Sequence, residues 1–462
     1  MRSRESDDGS AGARAHPIDR STAPASALDA ADDLAPLRAR FALPKDGRRT
    51  LTYLCGHSLG LMPRSVPRAV AAELARWAAR GVEGHFADRG HSAFRPRGST
   101  AGTRASAKRG MSPGWLDYHE RFSAPLATLV GARRDEVVAM NTLTVNLHLM
   151  LVSFFRPTKR RYKILIERDA FPSDRYAVQS QLRFHGLDPR DALLELRVRR
   201  GSWELDRERF EELLAAEGER IALVLLPGVQ YLSGERLDVG ALTATARRYG
   251  CAIGFDLAHA IGNVPLALHR DAPDFAVWCS YKYLNAGPGA VGGCFVHRRA
   301  AQAAGLPRFE GWWGHDVQRR FLMERTFAPL RGADAWQLSN PPIFSLAPLA
   351  ASLALFAEAG FARLRRKSVA LTGRLLDLLD AELGRGARVL TPRDAERRGA
   401  QVALRFDAPP RRGAQFATRL RAAGIVADWR PPDVLRLAPV PLYNRFEDVH
   451  AAVRELKRTL DA

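Results

Sequence analysis

The residues best suited to chemistry lie in one segment, GFDLAHAIGNVPLALHRDAPDFAVWCSYKYLNAGPGAVGG, residues 254–293. Asp256 closes an apolar run, His259 follows three residues later, and Lys282 stands 26 residues beyond Asp256, just past a second apolar run. If both runs are strands, Asp256 and Lys282 sit at strand C-termini, where open α/β sheets build their sites. That pairing suits pyridoxal phosphate. A lysine amine forms a Schiff base with the aldehyde. A carboxylate keeps the pyridine nitrogen protonated, which makes the ring an electron sink. Asp256 alone reads as well as a strand-end residue capping a helix. Lys282 is harder to dismiss as a surface lysine, because SYKYLNAGPG surrounds it with aromatics and glycines rather than solvating charges.

Such a cofactor needs donors for its phosphate. Asn141-Thr142-Leu143-Thr144 precedes the apolar stretch VNLHLMLVSFF. A helix N-terminus there would offer backbone N–H groups and a hydroxyl to an anion. Phe171-Pro172-Ser173-Asp174 follows another apolar run and could set an aromatic face and a carboxylate near the ring. Alone, either segment would pass as a turn and helix cap.

Three strings match well-known motifs without their context. Gly56-His57-Ser58-Leu59-Gly60 fits GxSxG, but a nucleophile elbow needs a helix starting at the serine. Leu61-Met62-Pro63 follows instead, so the string reads as a glycine-rich turn. Gly287–Gly292 fits GxGxxG, yet a strand, GCFVH, follows where a dinucleotide fingerprint opens a helix. His269-Arg270-Asp271 has none of the companion motifs of a kinase.

The elements that must position these residues are legible in outline. Lys163–Ile166, Ile221–Leu226, Ala252–Asp256, Phe275–Ser280 and Gly293–His297 are short apolar runs. Helical periods at Ser173–His185, Arg207–Glu217 and Val239–Tyr249 alternate with several of them. This predicts an α/β fold with a mostly parallel sheet sandwiched by helices. Pro67–Arg80 reads as an amphipathic helix with Val70, Leu74 and Trp77 on one side, and Trp115–Val130 and Asn141–Phe155 as two more helices. A helical region from Ser345 to about Ala381 leads into a strand, helix, strand, strand, helix series, which predicts a smaller C-terminal α+β domain. The expected division is an N-terminal tail over 1–45, partly disordered, a large domain over 46–344 with a basic insertion at 89–110, and a small domain over 345–462.

Composition narrows the classes. The 462 residues are 46% hydrophobic and 26% charged, as in a folded soluble protein. The longest apolar stretches, Ile221–Val229 and Leu346–Ala357, fall short of the roughly 20 residues a membrane span needs. Four scattered cysteines form neither a disulfide framework nor a zinc-ligand spacing, so no metal site is expected and a reducing cytoplasm fits. The net charge of +20 invites a nucleic-acid partner. Six of those charges fall in 89–110, a Gly/Ser/Thr-rich stretch whose single aromatic is Phe94. A base-stacking platform wants several aromatics, so the insertion reads as solvated chain and nucleic acid is disfavoured.

Taken together, the segments carry a resemblance. SLGL (58–61), NTLTVNLHLML (141–151), RYKILIERDAFPSD (161–174), GFDLAHAIGN (254–263), WCSYKYLNAG (278–287), GWWGH (311–315), SNPPI (339–343) and RLAPVPLYN (436–444) resemble kynureninases, fold-type-I pyridoxal-phosphate enzymes related to class V aminotransferases. The resemblance runs from about Leu51 to the C-terminus, apart from the basic insertion. It implies hydrolysis of L-kynurenine, or its 3-hydroxy form, to anthranilate and L-alanine in tryptophan degradation, a route that also feeds NAD biosynthesis. It implies Lys282 as the Schiff-base lysine, Asp256 on the pyridinium and His259 beside the ring. Leu143 and Thr144 would bind the phosphate end. Phe171 would stack on the ring, with Pro172, Ser173 and Asp174 in the same cofactor-binding turn. Tyr281 would reach the phosphate and assist proton transfer. Trp312 and Asn340 would come from the neighbouring subunit of a homodimer with shared active sites. Arg436 would grip the substrate's α-carboxylate. Ser58, His85 and Asn340 would complete the substrate site, His85 lining the aryl pocket.

Two departures stand out. The family usually reads Gly-Asn-Ser-Leu-Gly where this chain has His57, which alters hydrogen bonding near the substrate. Pro227 stands where relatives often carry a hydroxyl residue, and proline offers neither hydroxyl nor N–H. Other class V activities, such as cysteine desulfurase, need a cysteine on a late mobile loop, and none follows Cys294. A serine hydrolase using Ser58 is the alternative from another class.

Overall fold

The computed structural model describes residues 23–86, 114–198, 203–303, 305–383, 387–406 and 410–461. The basic insertion 89–110 and the start of the N-terminal tail lie outside them. Short strands β1 (Lys45–Asp46) and β2 (Arg49–Thr50) form a hairpin, and β3 (Thr52–Tyr53) follows. Seven strands then build the main sheet: β4 (Val137–Ala139), β5 (Lys163–Glu167), β6 (Leu193–Leu196), β7 (Ile221–Pro227), β8 (Ala252–Asp256), β9 (Phe275–Trp278) and β10 (Gly293–Val296). Their spatial order is β4-β10-β9-β8-β7-β5-β6. The run β9-β8-β7-β5-β6 is parallel throughout, and β10 is antiparallel to both its neighbours.

Strand alternation explains why this sheet is covered on both faces. Leu165, Val224, Leu226, Ile253, Phe255, Ala276 and Trp278 pack into one core cluster. Their neighbours Ile164, Ile166, Leu223, Leu225, Phe275 and Val277 pack into another on the opposite face. Parallel strands need crossovers, and helices Pro172–Phe184, Arg207–Glu217 and Val239–Arg248 supply them. All five predicted strands are present, within two residues at each end. Strands β4 and β6 were not predicted: VVA is three residues long and LLEL lacks a two-residue alternation.

A second sheet of β11 (Arg388–Val389), β12 (Val402–Arg405), β14 (Asp428–Arg430) and β15 (Val434–Leu437) has the order β11-β12-β15-β14. Strand β13 (Ile425–Val426) leaves that sheet to pair in parallel with β3, so the second strand of the C-terminal series, expected as one, is two. Helices Phe361–Leu383 and Phe446–Asp461 cover the second sheet. Residues 25–30, within the tail expected to be partly disordered, form a helix that packs on the last one.

Three helix readings need correction. The region from Ser345 is two helices, Ile343–Ala359 and Phe361–Leu383, bent by 82°. The break falls at Gly360, whose φ of +73° is a left-handed conformation that glycine adopts freely. Helix Glu120–Val130 starts five residues later than the apolar period suggested. In helix Val66–Arg80 the period is right, but among the described residues the face is only partly covered: the Trp77 ring meets that of Phe344, yet Leu74 is 47% and Trp77 58% exposed. Glu73 is buried there instead, accepting the Trp115 Nε1–H at 2.9 Å. Among the described residues no single helix is long and apolar enough to cross a membrane.

Candidate active site

The C-terminal ends of β5, β7 and β8 form the floor of a cleft. They deliver Glu167, Pro227 and Asp256 respectively. Asp256 Oδ1 accepts the Ala258 N–H at 2.7 Å, which fixes the carboxylate as the chain leaves the strand. Beyond β9 the chain turns and presents Lys282, whose Nζ lies 5.8 Å from the centres of both the Phe171 and Tyr281 rings. The SLGL segment clamps this turn. Gly60 N–H donates to the Tyr281 carbonyl at 2.8 Å. A Cβ on Gly60 would sit 2.3 Å from the Lys282 carbonyl oxygen, so only glycine allows that approach.

The opposite wall joins two helix starts. Thr144 Oγ1 and Ser173 Oγ lie 2.9 Å apart, tying the first turn of helix Leu143–Phe154 to that of helix Pro172–Phe184. Neither N-cap residue, Thr142 or Phe171, caps its helix with a side chain. The cleft therefore gathers backbone N–H groups and two hydroxyls at the positive ends of two helices, an anion-binding arrangement.

Charge divides the cleft. Glu167, Asp174 and Asp256 are all buried, and burial pushes each carboxyl up, Glu167 to about 8. Asp174 rises well above the usual range, first through burial and then through the neighbouring Asp256 charge. In Asp256, the Lys282 charge and the Ala258 N–H act against burial. Burial, then the Lys282 and Arg436 charges, hold His259 well below its usual value, so its imidazole is neutral. Burial and the adjacent Cys279 push the Tyr281 hydroxyl up, so it is a proton donor at neutral pH.

Two buried atoms of this wall, Asp174 Oδ1 and His259 Nδ1, have no hydrogen-bond partner. Buried polar atoms are normally satisfied, so these point to a polar ligand. A ligand with a protonated ring nitrogen at one end and a phosphate at the other suits an acidic strand end facing two helix N-termini. The residues present fit pyridoxal phosphate.

A second group adjoins the cleft, with the His57 and His259 rings 6.4 Å apart. Arg436, on β15, is buried. Its Nε donates to Asp428 Oδ2 at 2.7 Å, its Nη1 to the Tyr231 carbonyl at 2.6 Å, and its Nη2 to Ser58 Oγ at 3.3 Å. The structure thus brings Ser58 to Arg436. No helix follows Ser58 until Val66, so there is no nucleophile elbow.

Sequence-singled residues fall into three sets, of which Ser58 and Arg436 form the one just described. Leu143, Thr144, Phe171, Ser173, Asp174, Asp256, His259, Tyr281 and Lys282 line one cleft, and Pro172 opens the helix beside it. His85, Trp312 and Asn340 do not line it. His85 Nδ1 lies 3.0 Å from the Val82 carbonyl, and its ring packs edge-on against Trp115. Trp312 is 43% exposed, and Asn340 is exposed. Sequence reasoning missed Glu167, Tyr231 and Asp428. Glu167 closes KILIE as Asp256 closes AIGFD, so its signal was available; Tyr231 and Asp428 carried none.

Fold and cleft together define a pyridoxal-phosphate enzyme of fold type I. Solved structures agree on the fold. A cysteine desulfurase from Escherichia coli superposes with a TM-score of 0.70 at 18% identity, covering 93% of this chain and 98% of its own. The cysteine desulfurase of Thermococcus onnurineus gives 0.68 at 17% identity, covering 89% and 95%. Sequence relatives are closer. The kynureninase of Xanthomonas euvesicatoria is 51% identical over 95% of this chain and 98% of its own length, and that of Myxococcus xanthus is 53% identical over 93% and 95%. The kynureninase C-terminal domain family matches residues 364–456. The chain belongs to the kynureninase family.

Proposed function

We propose that this protein hydrolyses L-kynurenine to anthranilate and L-alanine with pyridoxal phosphate as cofactor. The observation that supports this is Lys282 and Asp256 on one cleft, with the buried Arg436 group adjoining it through Tyr231 and the His57–His259 pair. Bound there, the cofactor would supply an electron sink for removal of the α-proton and cleavage of the Cβ–Cγ bond. Lys282 would hold it and, once released, take the α-proton at Nζ. Asp256 would keep the ring nitrogen protonated. Phe171 would cover one ring face and His259, neutral, would lie beside the ring. Leu143, Thr144, Ser173 and the two helix starts would hold the phosphate. Arg436 with Ser58 would grip the α-carboxylate, and Tyr281, protonated at working pH, would donate to the oxygen that gains charge when water attacks the γ-carbonyl.

The same reading makes the protein a homodimer of the cytoplasm, active in tryptophan degradation. Exposed Trp312 and Asn340 would enter the partner's cleft. The face of helix Val66–Arg80 that the described residues leave partly exposed, with Leu74 and Trp77, is what a partner subunit would cover. Anthranilate fluorescence after mixing the protein, pyridoxal phosphate and L-kynurenine tests the reading. A rise that Lys282→Ala abolishes is expected. No rise with a cofactor-loaded protein would overturn the substrate, and failure to take up cofactor would overturn the whole reading.

A further inference from the structure

Arg436 reaches its task already engaged. A guanidinium presents two hydrogen-bonding edges. The Nε/Nη2 edge is taken by Asp428: Nε donates at 2.7 Å, and Nη2 makes a second bond to the same Oδ2. Nη1 donates to the Tyr231 carbonyl at 2.6 Å. On the remaining Nη1/Nη2 edge the sole further partner among the described residues is Ser58 Oγ, at 3.3 Å. Asp428 is itself held from two more sides. Arg430 Nε donates to Oδ2 at 2.9 Å, and His57 Nε2 lies 3.4 Å from it. His57 is fully buried, and burial with the Arg436 charge holds its imidazole down at about 3, so it stays neutral. For Asp428 burial acts upward, but the His57 hydrogen bond and the Arg436 charge outweigh it and keep the carboxylate ionised.

The charges add up simply. Arg430 and Arg436 contribute two positive charges, Asp428 one negative and His57 none. One positive charge is left over in the group.

We propose that Asp428, backed by His57, is a positioning residue that occupies one edge of Arg436 and leaves the other edge, in a group with a single net positive charge, for the carboxylate of an α-amino acid. The inference rests on the proposed function for the identity of the ligand. It concerns the carboxylate end, away from the bond that breaks.

The test uses binding rather than turnover. The cofactor-loaded protein is titrated with L-alanine and, separately, with L-alaninamide, which lacks the carboxylate, and the visible absorbance change gives each Kd. Truncating one partner of a buried, hydrogen-bonded charge pair is costly. Asp428→Asn adds a net positive charge but weakens the hold on the Nε/Nη2 edge; if Asp428 acts by positioning, the lost orientation outweighs the added charge, and L-alanine should weaken by about tenfold or more while alaninamide stays within about twofold. A general loosening of the site would weaken both ligands alike and would overturn the proposal, as would unchanged L-alanine binding. If Asp428→Asn does not fold, His57→Leu serves. It fills the same buried space without the donor, and a selective loss of about threefold for L-alanine is expected; an equal loss for both ligands, or none, refutes the idea. A wild-type protein that binds L-alanine selectively but releases no anthranilate would sink the proposed function and leave this inference standing.

Discussion

Asp174 and Asp256 offer a sharp test, because two buried carboxyls so close cannot both be ionised at low cost. Asp256 is the one placed to carry the charge: it accepts the Ala258 N–H at 2.7 Å and faces the Lys282 charge. Asp174 has a buried, unpartnered Oδ1, and the Asp256 charge adds to burial in holding it protonated. An amide mimics a protonated carboxyl in shape and keeps a donor. Asp174→Asn should therefore cost at most about 1 kcal/mol, or about fivefold in kcat/KM. Asp256→Asn removes an ionised hydrogen-bond partner from a dry site. Its cost should be about 2–4 kcal/mol, which is about 30- to 700-fold. Initial rates of anthranilate release at saturating pyridoxal phosphate give the numbers, and the visible absorbance of each variant shows how much cofactor it holds. Equal losses in the two variants would refute the assignment of the charge to Asp256.

Three further outcomes follow from the geometry. If Asn340 serves the partner's cleft, Asn340→Ala and Lys282→Ala proteins, each inactive alone, should recover about a quarter of wild-type activity when unfolded and reassembled together, since half the dimers would be mixed and each would hold one intact site; no recovery would show that the sites are not shared. Glu167, raised to about 8 by burial, binds a proton in the folded protein that the unfolded chain releases near 4.5. Its contribution to stability is thus complete below the unfolded value and is lost as pH rises through about 8. The cofactor-free protein should melt progressively lower from acid toward that pH, and Glu167→Gln should flatten the slope; an unchanged slope would show that Glu167 does not titrate there. At the far end of the sheet, buried Glu136 accepts the Arg133 N–H at 2.9 Å, the Arg298 N–H at 2.9 Å and a bond from His269 Nδ1 at 3.0 Å. Glu136→Leu strands two backbone donors and should lower the unfolding free energy by about 3 kcal/mol in urea titrations, with a loss below about 1 kcal/mol counting against the network.

How much of this was legible in the sequence depends on which interactions fix each element. The strands Lys163–Glu167, Ile221–Pro227 and Ala252–Asp256 were readable because both their faces are buried, which writes continuous apolar runs into the chain. Edge strand β6 carries a half-exposed LLEL and left no such trace. The break at Gly360 was hidden because helix-forming sequence lies on both sides of it, and the 82° turn falls at one left-handed residue. In helix Val66–Arg80 the sequence marks an apolar face, and nothing in that pattern says whether the cover is this chain or another.

The site divides along the same line. Residues proposed to hold the cofactor stand at strand ends and helix starts, where local sequence decides position, so Asp256, Lys282, Thr144 and Ser173 could be named as candidates from the sequence, and the fold brings them to one cleft. Residues that prepare the substrate's anchor are brought together from three separate places in the chain. His57 comes from the turn after β3, Tyr231 from the loop after β7, and Asp428 and Arg436 from paired strands of the second sheet. Asp428 and Arg436 are register partners in β14 and β15, so an eight-residue separation becomes a direct cross-strand pair only once that hairpin closes. The sequence can show that an arginine suits a carboxylate. That this arginine has one edge already filled, and one charge left over, follows from the pairing of strands and from a histidine some 370 residues away in the chain.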